Sequence, residues 1–321
     1  MASTSPIVLT DNEFFSGLTN LALFIRLYAT NTSSAPDAFV DSFLSDTLSA
    51  GNTKIFPWSD LGEVEDYKPT STLLEVKKVK AGEEYLQITE QKVIRSSYNR
   101  YILDMAFTSE AGMNEFIGYI LGQMDSTKTD YLYDEIITDL FSKVFTGTKQ
   151  NQAVDQYDLS TVNSFTELNN GYLVNNKEIT NDVQQVLQNI QYFTRDYNGL
   201  KNKEALRVGD LKFIFCEPYK SKNLINLYAE LLNSQVITNS FAKPELYTIP
   251  QIKVPTGKEG VIGWILHKSA YQLFYKFVFR GEFFDVSNLT INNFLHFWYG
   301  KGWLENLPAV KFTANKKTLG A

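Results

Sequence analysis

Between Glu110 and Phe145 the apolar positions are Met113, Phe116, Ile117, Ile120, Leu121, Met124, Leu132, Ile136, Ile137, Leu140, Phe141, Val144 and Phe145. Spacings of three and four mark one face of an amphipathic helix. Thr108 or Ser109 can cap its start, Glu110 suits the positive end of the helix dipole, and Gly147 is placed to stop it. Unbroken, such a helix is roughly 54 Å long, far beyond the usual three turns. Gly122 and Asp125-Ser126-Thr127 lower propensity midway and leave room for a kink or a break.

The same periodicity predicts three further helices. One starts at Ser34, Pro36 and Asp37, carries Phe39, Val40, Phe43, Leu44 and Leu48 on its apolar face, and ends at Gly51. Another covers Glu178–Tyr197, with Ile179, Val183, Val186, Leu187, Ile190 and Phe193 on its face, and Asn198-Gly199 ends it. A third covers Leu224–Leu232. Ahead of them, Phe14–Tyr28 is a short apolar piece that reads as a docked helix behind a frayed terminus, followed by a polar connection at Thr30–Ser34.

Strand patterns occupy most of the rest. Lys54–Trp58 is a short candidate interrupted at Pro57, and an acidic loop with Asp60, Glu63, Glu65 and Asp66 follows it. Thr72–Lys80 and Tyr85–Met105 then read as two strands joined through Ala81-Gly82-Glu83-Glu84. Both carry many charges: Lys77, Lys78, Lys80, Glu83, Glu84, Lys92, Arg95 and Arg100. A two-stranded ribbon with so little apolar surface is marginal alone. It projects and gains stability from a neighbour, or it is an ordinary solvated hairpin. Thr148–Leu168 reads as a polar surface connection, with a strand at Tyr172–Val174 after it. Leu211–Cys216 is a buried strand opened by Asp210 and closed by Glu217-Pro218. Leu246–Val254, Val261–His267, Ala270–Phe279, Leu289–Tyr299 and Ala309–Phe312 complete the set, with turns at Pro255-Thr256-Gly257, Gly281 and Gly300-Lys301-Gly302. No regular βαβ alternation runs through this order, so the expected class is α+β.

Composition narrows the function more than it identifies one. The 321 residues include 23 Phe and 18 Tyr, which suits extensive cores and interfaces. A formal net charge of −6 argues against a dedicated nucleic-acid binder. With Cys216 as the sole cysteine no intrachain disulfide can form, which points to a reducing compartment. The first residues lack a secretory pattern, and no segment approaches about 20 apolar residues, so no membrane span is expected.

Catalytic chemistry is not evident. His267 and His296, the two histidines, sit in no metal-ligand spacing, and neither a nucleophile elbow nor a phosphate-binding glycine loop is present. Gly257, Gly260 and Gly263 form GxxGxxG without the strand-then-helix setting of a dinucleotide site. Asp130, Asp134, Glu135 and Asp139 cluster on the long helix, but without the Glu-x-x-His partners of a carboxylate metal bundle they read as a solvated face. Phe294, Phe297, Trp298, Tyr299 and Trp303 read as packing rather than a stacking platform for bases or sugars. The expectation is a non-enzyme with no catalytic residue, cofactor or metal.

The order of parts resembles the major capsid proteins of tailed bacteriophages with the HK97-type fold. Met1–Ala35 resembles their N-terminal arm, and 36–62 the first part of the peripheral domain. Residues 63–106 resemble the extended two-stranded E-loop, and 107–149 the spine helix of the peripheral domain. Residues 150–250 resemble the axial domain, and 251–321 the closing strands, with Gly263–Ala270 and Leu307–Phe312 as the returning segments. The resemblance implies an HK97-like α+β capsid fold and a head protein that self-assembles into an icosahedral shell around phage double-stranded DNA. It implies pentamers and hexamers, assembly in the host cytoplasm, a place in the virion, and scaffolding, portal and decoration proteins as partners. DNA would be enclosed without specific binding, and no membrane is involved. On this reading Lys77, Lys78, Lys80, Glu83, Glu84, Lys92, Arg95 and Arg100 of the ribbon meet acidic patches such as Glu63, Glu65 and Asp66 of the next subunit. An encapsulin-type nanocompartment shell shares the fold and is one alternative; a soluble ligand-binding protein is another.

Overall fold

The computed structural model describes residues 35–49, 51–62, 64, 78–101, 110–154, 165–167, 173–217 and 244–314. The arm with Phe14–Tyr28, the helix expected at Leu224–Leu232 and most of Thr72–Lys80 lie outside these residues. The chain divides into two compact units. Described residues within 35–52, 87–136 and 273–301 make one unit, and those within 53–86, 137–272 and 302–314 the other. Among the described residues, no helix is long and apolar enough to cross a membrane.

Three α-helices are described: α1 (Ala35–Phe43), α2 (Glu110–Ser142) and α3 (Asn176–Gln191). The strands are β1 (Thr53–Ser59), β2 (Ala81–Asn99), β3 (Asn151–Val154), β4 (Phe165–Glu167), β5 (Leu173–Asn175) and β6 (Leu211–Cys216). They continue with β7 (Glu245–Ile249), β8 (Val261–His267), β9 (Tyr271–Asp285), β10 (Thr290–Trp303) and β11 (Ala309–Ala314). One sheet has the order β1-β2-β10-β9, a second β3-β11-β8-β6-β7, and β4 pairs with β5 alone.

In the first unit α2 lies on the sheet. Ile117, Leu121 and Met124 of the helix pack with Tyr98 of β2 and with Ile291 and Leu295 of β10. The soft middle of α2 does not break. Ser126 Oγ donates to the Gly122 carbonyl at 3.1 Å and Thr127 Oγ1 to that of Gln123 at 2.7 Å, so both hydroxyls are satisfied within the helix. The helix ends at Ser142, before the apolar Val144 and Phe145. α1 also stops early. Leu44 forms a bridge with Leu273, Ser45 N–H donates to the Leu273 carbonyl at 2.8 Å, and Leu48 N–H to that of Tyr275 at 2.9 Å. An available row of β9 carbonyls outcompetes another helical turn.

β2 corrects the link expected inside the ribbon. Ala81–Glu84, expected as a connection, is strand, and β2 is one continuous run flanked by β1 and β10 in the sheet. It pairs antiparallel with β10, from Asn99 opposite Thr290 to Glu90 opposite Tyr299, with a register shift before Gly300. β9 and β10 also pass straight through the expected turns at Gly281 and at Gly300-Lys301-Gly302. Gly300 is there for closeness: a Cβ on it would lie 2.5 Å from the Gln87 carbonyl oxygen and 2.6 Å from the Phe274 ring. Pro57 is accommodated because β1 is an edge strand of its sheet.

The second unit is built on the five-stranded sheet. Every residue of β6 is buried, and β6 runs parallel to β7 and antiparallel to β8. Ile179, Val183, Val186, Leu187 and Ile190 of α3 share a core with Phe213, Phe215, Ile262, Ile265 and Phe312. α3 ends at Gln191 rather than Tyr197, because Thr194 leaves the helix to bridge Glu204, its N–H donating to the Glu204 carbonyl at 3.0 Å. β3 and β4 fall inside the span expected as a connection. β3 is recruited by a parallel pairing with β11 that its own polar sequence does not announce.

Candidate assembly surface

Among the described residues, no group of three or more His, Cys, Asp and Glu side chains is placed to hold a metal. The helix carboxylates divide. Glu135 pairs with Lys301 at 2.5 Å, and Asp139 accepts from Tyr271 Oη at 2.7 Å, so these two tie strands to α2 instead of forming a free acidic face. Asp130 and Asp134 are exposed. The aromatic run divides, with Phe294 and Trp298 partly exposed. Phe297 and Tyr299 are fully buried, and Trp303 meets Phe145 and Tyr271 edge-to-face at 5.3 and 5.1 Å.

From Ala81 to Ser97, β2 presents its residues alternately, odd positions exposed and even positions at least half-buried, which is the period of a sheet with one covered face. Glu84 points inward. Its carboxylate accepts the backbone N–H groups of Glu305 at 2.6 Å and Asn306 at 3.2 Å. Glu305 in turn pairs with Lys143. Lys80 is also engaged within the chain: Nζ donates to the Leu200 carbonyl at 2.8 Å and to Asn202 Oδ1 at 3.3 Å, and lies over the Trp58 ring. Lys92 pairs with Glu90 at 2.9 Å and lies over Tyr131; the hydrogen bond to Glu90 and that to Tyr131 raise its pKa.

Three further candidates, Lys78, Glu83 and Arg95, are exposed. Glu83 accepts from the Tyr85 hydroxyl, and Arg95 lies over the Phe294 ring. Arg100 donates its backbone N–H to the Leu289 carbonyl at 2.9 Å. Lys77, Glu63, Glu65 and Asp66 lie outside the described residues.

Sequence reasoning passes over a cluster around Asp60. This carboxylate is buried at 8% exposure and accepts from Arg195, from Lys203 N–H at 2.8 Å and from Leu61 N–H at 2.9 Å. Burial works to raise its pKa, but these hydrogen bonds and the Arg195 charge hold it below the ordinary carboxylate value. Nothing in an acidic loop sequence distinguishes the one carboxylate that is buried; only its partners, about 135–143 residues away, do so.

Among the described residues, the odd positions of β2 from Ala81 to Ser97 form a long exposed strand face that carries Glu83 and Arg95. A family model described as Phi29-like phage major capsid protein matches residues 31–313. The chain belongs to that family. This phage major capsid protein is therefore a structural component of a capsid shell. No curated protein matches its sequence. Its fold is similar to that in the capsid structure of Staphylococcus phage Andhra, at 9% identity and a TM-score of 0.56, covering 85% of this chain and 83% of the other. The capsid structure of Cyanophage P-SCSP1u matches at 13% identity and a TM-score of 0.55, covering 87% and 88%. The mature capsid of bacteriophage PhiM1 matches at 10% identity and a TM-score of 0.50, covering 88% of each chain. At such identities the likeness is one of fold. The mixed α and β architecture expected from the sequence agrees with it.

Proposed function

We propose that this capsid protein builds an icosahedral shell of pentamers and hexamers around double-stranded DNA, by an HK97-type subunit design. The observation that carries the reading is the family match over residues 31–313. Within that design, α2 serves as the spine helix, residues 63–106 as the E-loop and 150–250 as the axial domain. The long helix packed on long strands supports the first assignment. Because β2 is continuous through Ala81–Glu84, we assign the projecting part of the second to residues 63–77 as part of this proposal.

Lys78, Glu83 and Arg95 are the described candidates for subunit contacts, with Lys77, Glu63, Glu65 and Asp66 beside them in sequence. Lys80 and Glu84 are not offered for that role, because both are bound within their own subunit. Each exposed ion pair is worth only about 0–1 kcal/mol, so closure rests on many symmetric repeats of weak contacts. The net charge of −6 suits a wall that encloses DNA without gripping it. Assembly in the host cytoplasm and partnership with scaffolding, portal and decoration proteins complete the reading.

Size-exclusion chromatography and negative-stain microscopy of the purified chain test it: capsomers or shells are expected. A monomer that persists under all salt and crowding conditions overturns it. Removing residues 66–76 is a sharper test than a cut reaching into β2, which would also take Glu84 and buried Leu86. The shortened subunit should fold yet fail to close a shell, and normal shells would overturn the E-loop assignment.

A further inference from the structure

In the four-stranded sheet, α2 covers one face and an aromatic patch occupies the other. Along β10, Ile291, Asn293, Leu295, Phe297 and Tyr299 are buried, so the alternate residues, among them Phe294 and Trp298, point away from the helix. Arg95 is opposite Phe294 in the register, and Val93 is opposite His296. On neighbouring β9, Phe277 stacks on Phe279 at 5.8 Å and leans on Trp298 at 5.6 Å. Phe277 is 43% exposed and Phe279 51%. Isolated apolar side chains in solvent are ordinary, but a contiguous aromatic group on one sheet face marks a surface that is normally covered.

The sequence supplies a cover of the matching kind. Phe14, Leu18, Leu21, Ile25 and Tyr28 are spaced four, three, four and three apart, the spacing of an apolar helical stripe, and Phe15, Leu23, Phe24 and Leu27 beside it make the segment apolar on more than one side. Arg26 is the one charged residue from Phe14 to Tyr28, while Asp11 and Glu13 immediately precede it and complement Arg95. Tyr28 stands seven residues before Ala35, where α1 begins, and seven residues span at most roughly 25 Å. A tether that short gives an effective concentration in the millimolar range, which favours the chain's own segment over one from a second copy.

We propose that Phe14–Tyr28 of the same chain docks on the aromatic face formed by Val93, Phe277, Phe279, Phe294 and Trp298. This seating completes the folded subunit itself and does not depend on shell formation.

Amide hydrogen exchange on the full-length protein, held below its assembly concentration, tests the proposal. Peptides covering 14–28 should exchange about tenfold or more slowly than the same sequence as a free peptide. Phe277→Ser/Phe279→Ser, changes on an exposed face, should return those peptides to within about twofold of the free rate while α2 stays protected. Free-peptide rates in the unaltered chain overturn the proposal, as does protection that survives the double substitution. Protection that grows with protein concentration also overturns it, since a second copy is then the cover. If the double variant fails to fold, cysteines at Leu21 and Phe279 (Leu21→Cys, Phe279→Cys) give the same decision. An intrachain disulfide supports the docking, and a ladder of linked dimers, or no link under oxidation, refutes it.

Discussion

Lys212 is the least expected residue of the second unit. It lies on β6 with no exposed side-chain surface, its Nζ 4.0 Å from Glu245 and 5.7 Å from the centre of the Tyr247 ring. Lys268 holds the same Glu245 at 3.0 Å. Burial pushes the Lys212 ammonium down to about 7, with Glu245 opposing and Lys268 reinforcing the shift. Unfolded, the group titrates near 10.5, so between these values the unfolded chain binds more protons than the folded one. Stability therefore rises with pH from about 7 toward 10, by up to about 1.4 kcal/mol per pH unit from this group. Glu204, pushed up to about 7 by burial, has the opposite sign and costs stability as pH climbs from the ordinary carboxylate range to 7. Chemical denaturation from pH 7.5 to 9.5 should show the rise, and Lys212→Met should flatten it. An unchanged slope in the variant would mean that Lys212 is charged in the folded protein. Glu84 gives a second residue-scale expectation. Glu84→Ala leaves the amides of Glu305 and Asn306 without their acceptor, which should cost about 1–3 kcal/mol and speed exchange at those two amides. Wild-type exchange at both would show that the carboxylate is not needed there.

At the scale of elements, local pattern reads well where one periodicity dominates. β6 is all apolar except Lys212 and its pattern marks its observed ends, while α2 is legible to within three residues at its C-terminus. Pattern fails where pairing overrides it. Gly281 and Gly300-Lys301-Gly302 are punctuation in a sequence, but in β9 and β10 the glycines sit inside strands, and at Gly300 the neighbouring backbone requires the missing side chain. Ala81–Glu84 looks like a link for the same reason, and β3 looks like a loop because a partner over 150 residues away makes it a strand. Gly122 differs from Gly300 in having open space, with nothing within 4 Å of where a Cβ would stand. Gly122→Ala should therefore stabilise α2 by about 0.5–1 kcal/mol, whereas Gly300→Ala should destabilise by about 1–3 kcal/mol. Thermal denaturation of the two variants decides the matter, and equal effects would contradict the packing described for Gly300. The gain at Gly122 also bears on shell geometry. If subunits bend there to fit different shell positions, Gly122→Ala will raise subunit stability while lowering the yield of closed shells.

For the whole molecule, the family is legible in the order of parts, whereas the contact residues are legible only as a list of charges. A charge in a sequence carries no mark of whether its partner is in the same chain or the next one. The structure separates Lys78 from Lys80 on this ground, two residues apart and both exposed. Lys80 is engaged by Leu200, Asn202 and the Trp58 ring, so Lys80→Glu removes internal contacts and should lower subunit stability by about 1 kcal/mol. Lys78→Glu touches no described intrachain bond and should leave subunit stability within about 0.5 kcal/mol. On the contact role proposed for Lys78, its effect falls on assembly, where reversing a charge repeated in every subunit adds a repulsion that salt screens over about 10 Å at 0.1 M. Light scattering during assembly should then show Lys78→Glu slowed at low salt and partly restored as ionic strength rises. Lys80→Glu, by contrast, should be impaired at every salt concentration in proportion to its lost stability. If Lys78→Glu assembles like the unaltered protein at low salt, the surface beside the start of β2 is not a subunit contact, and the acidic partners proposed for it must lie against other basic candidates such as Arg95.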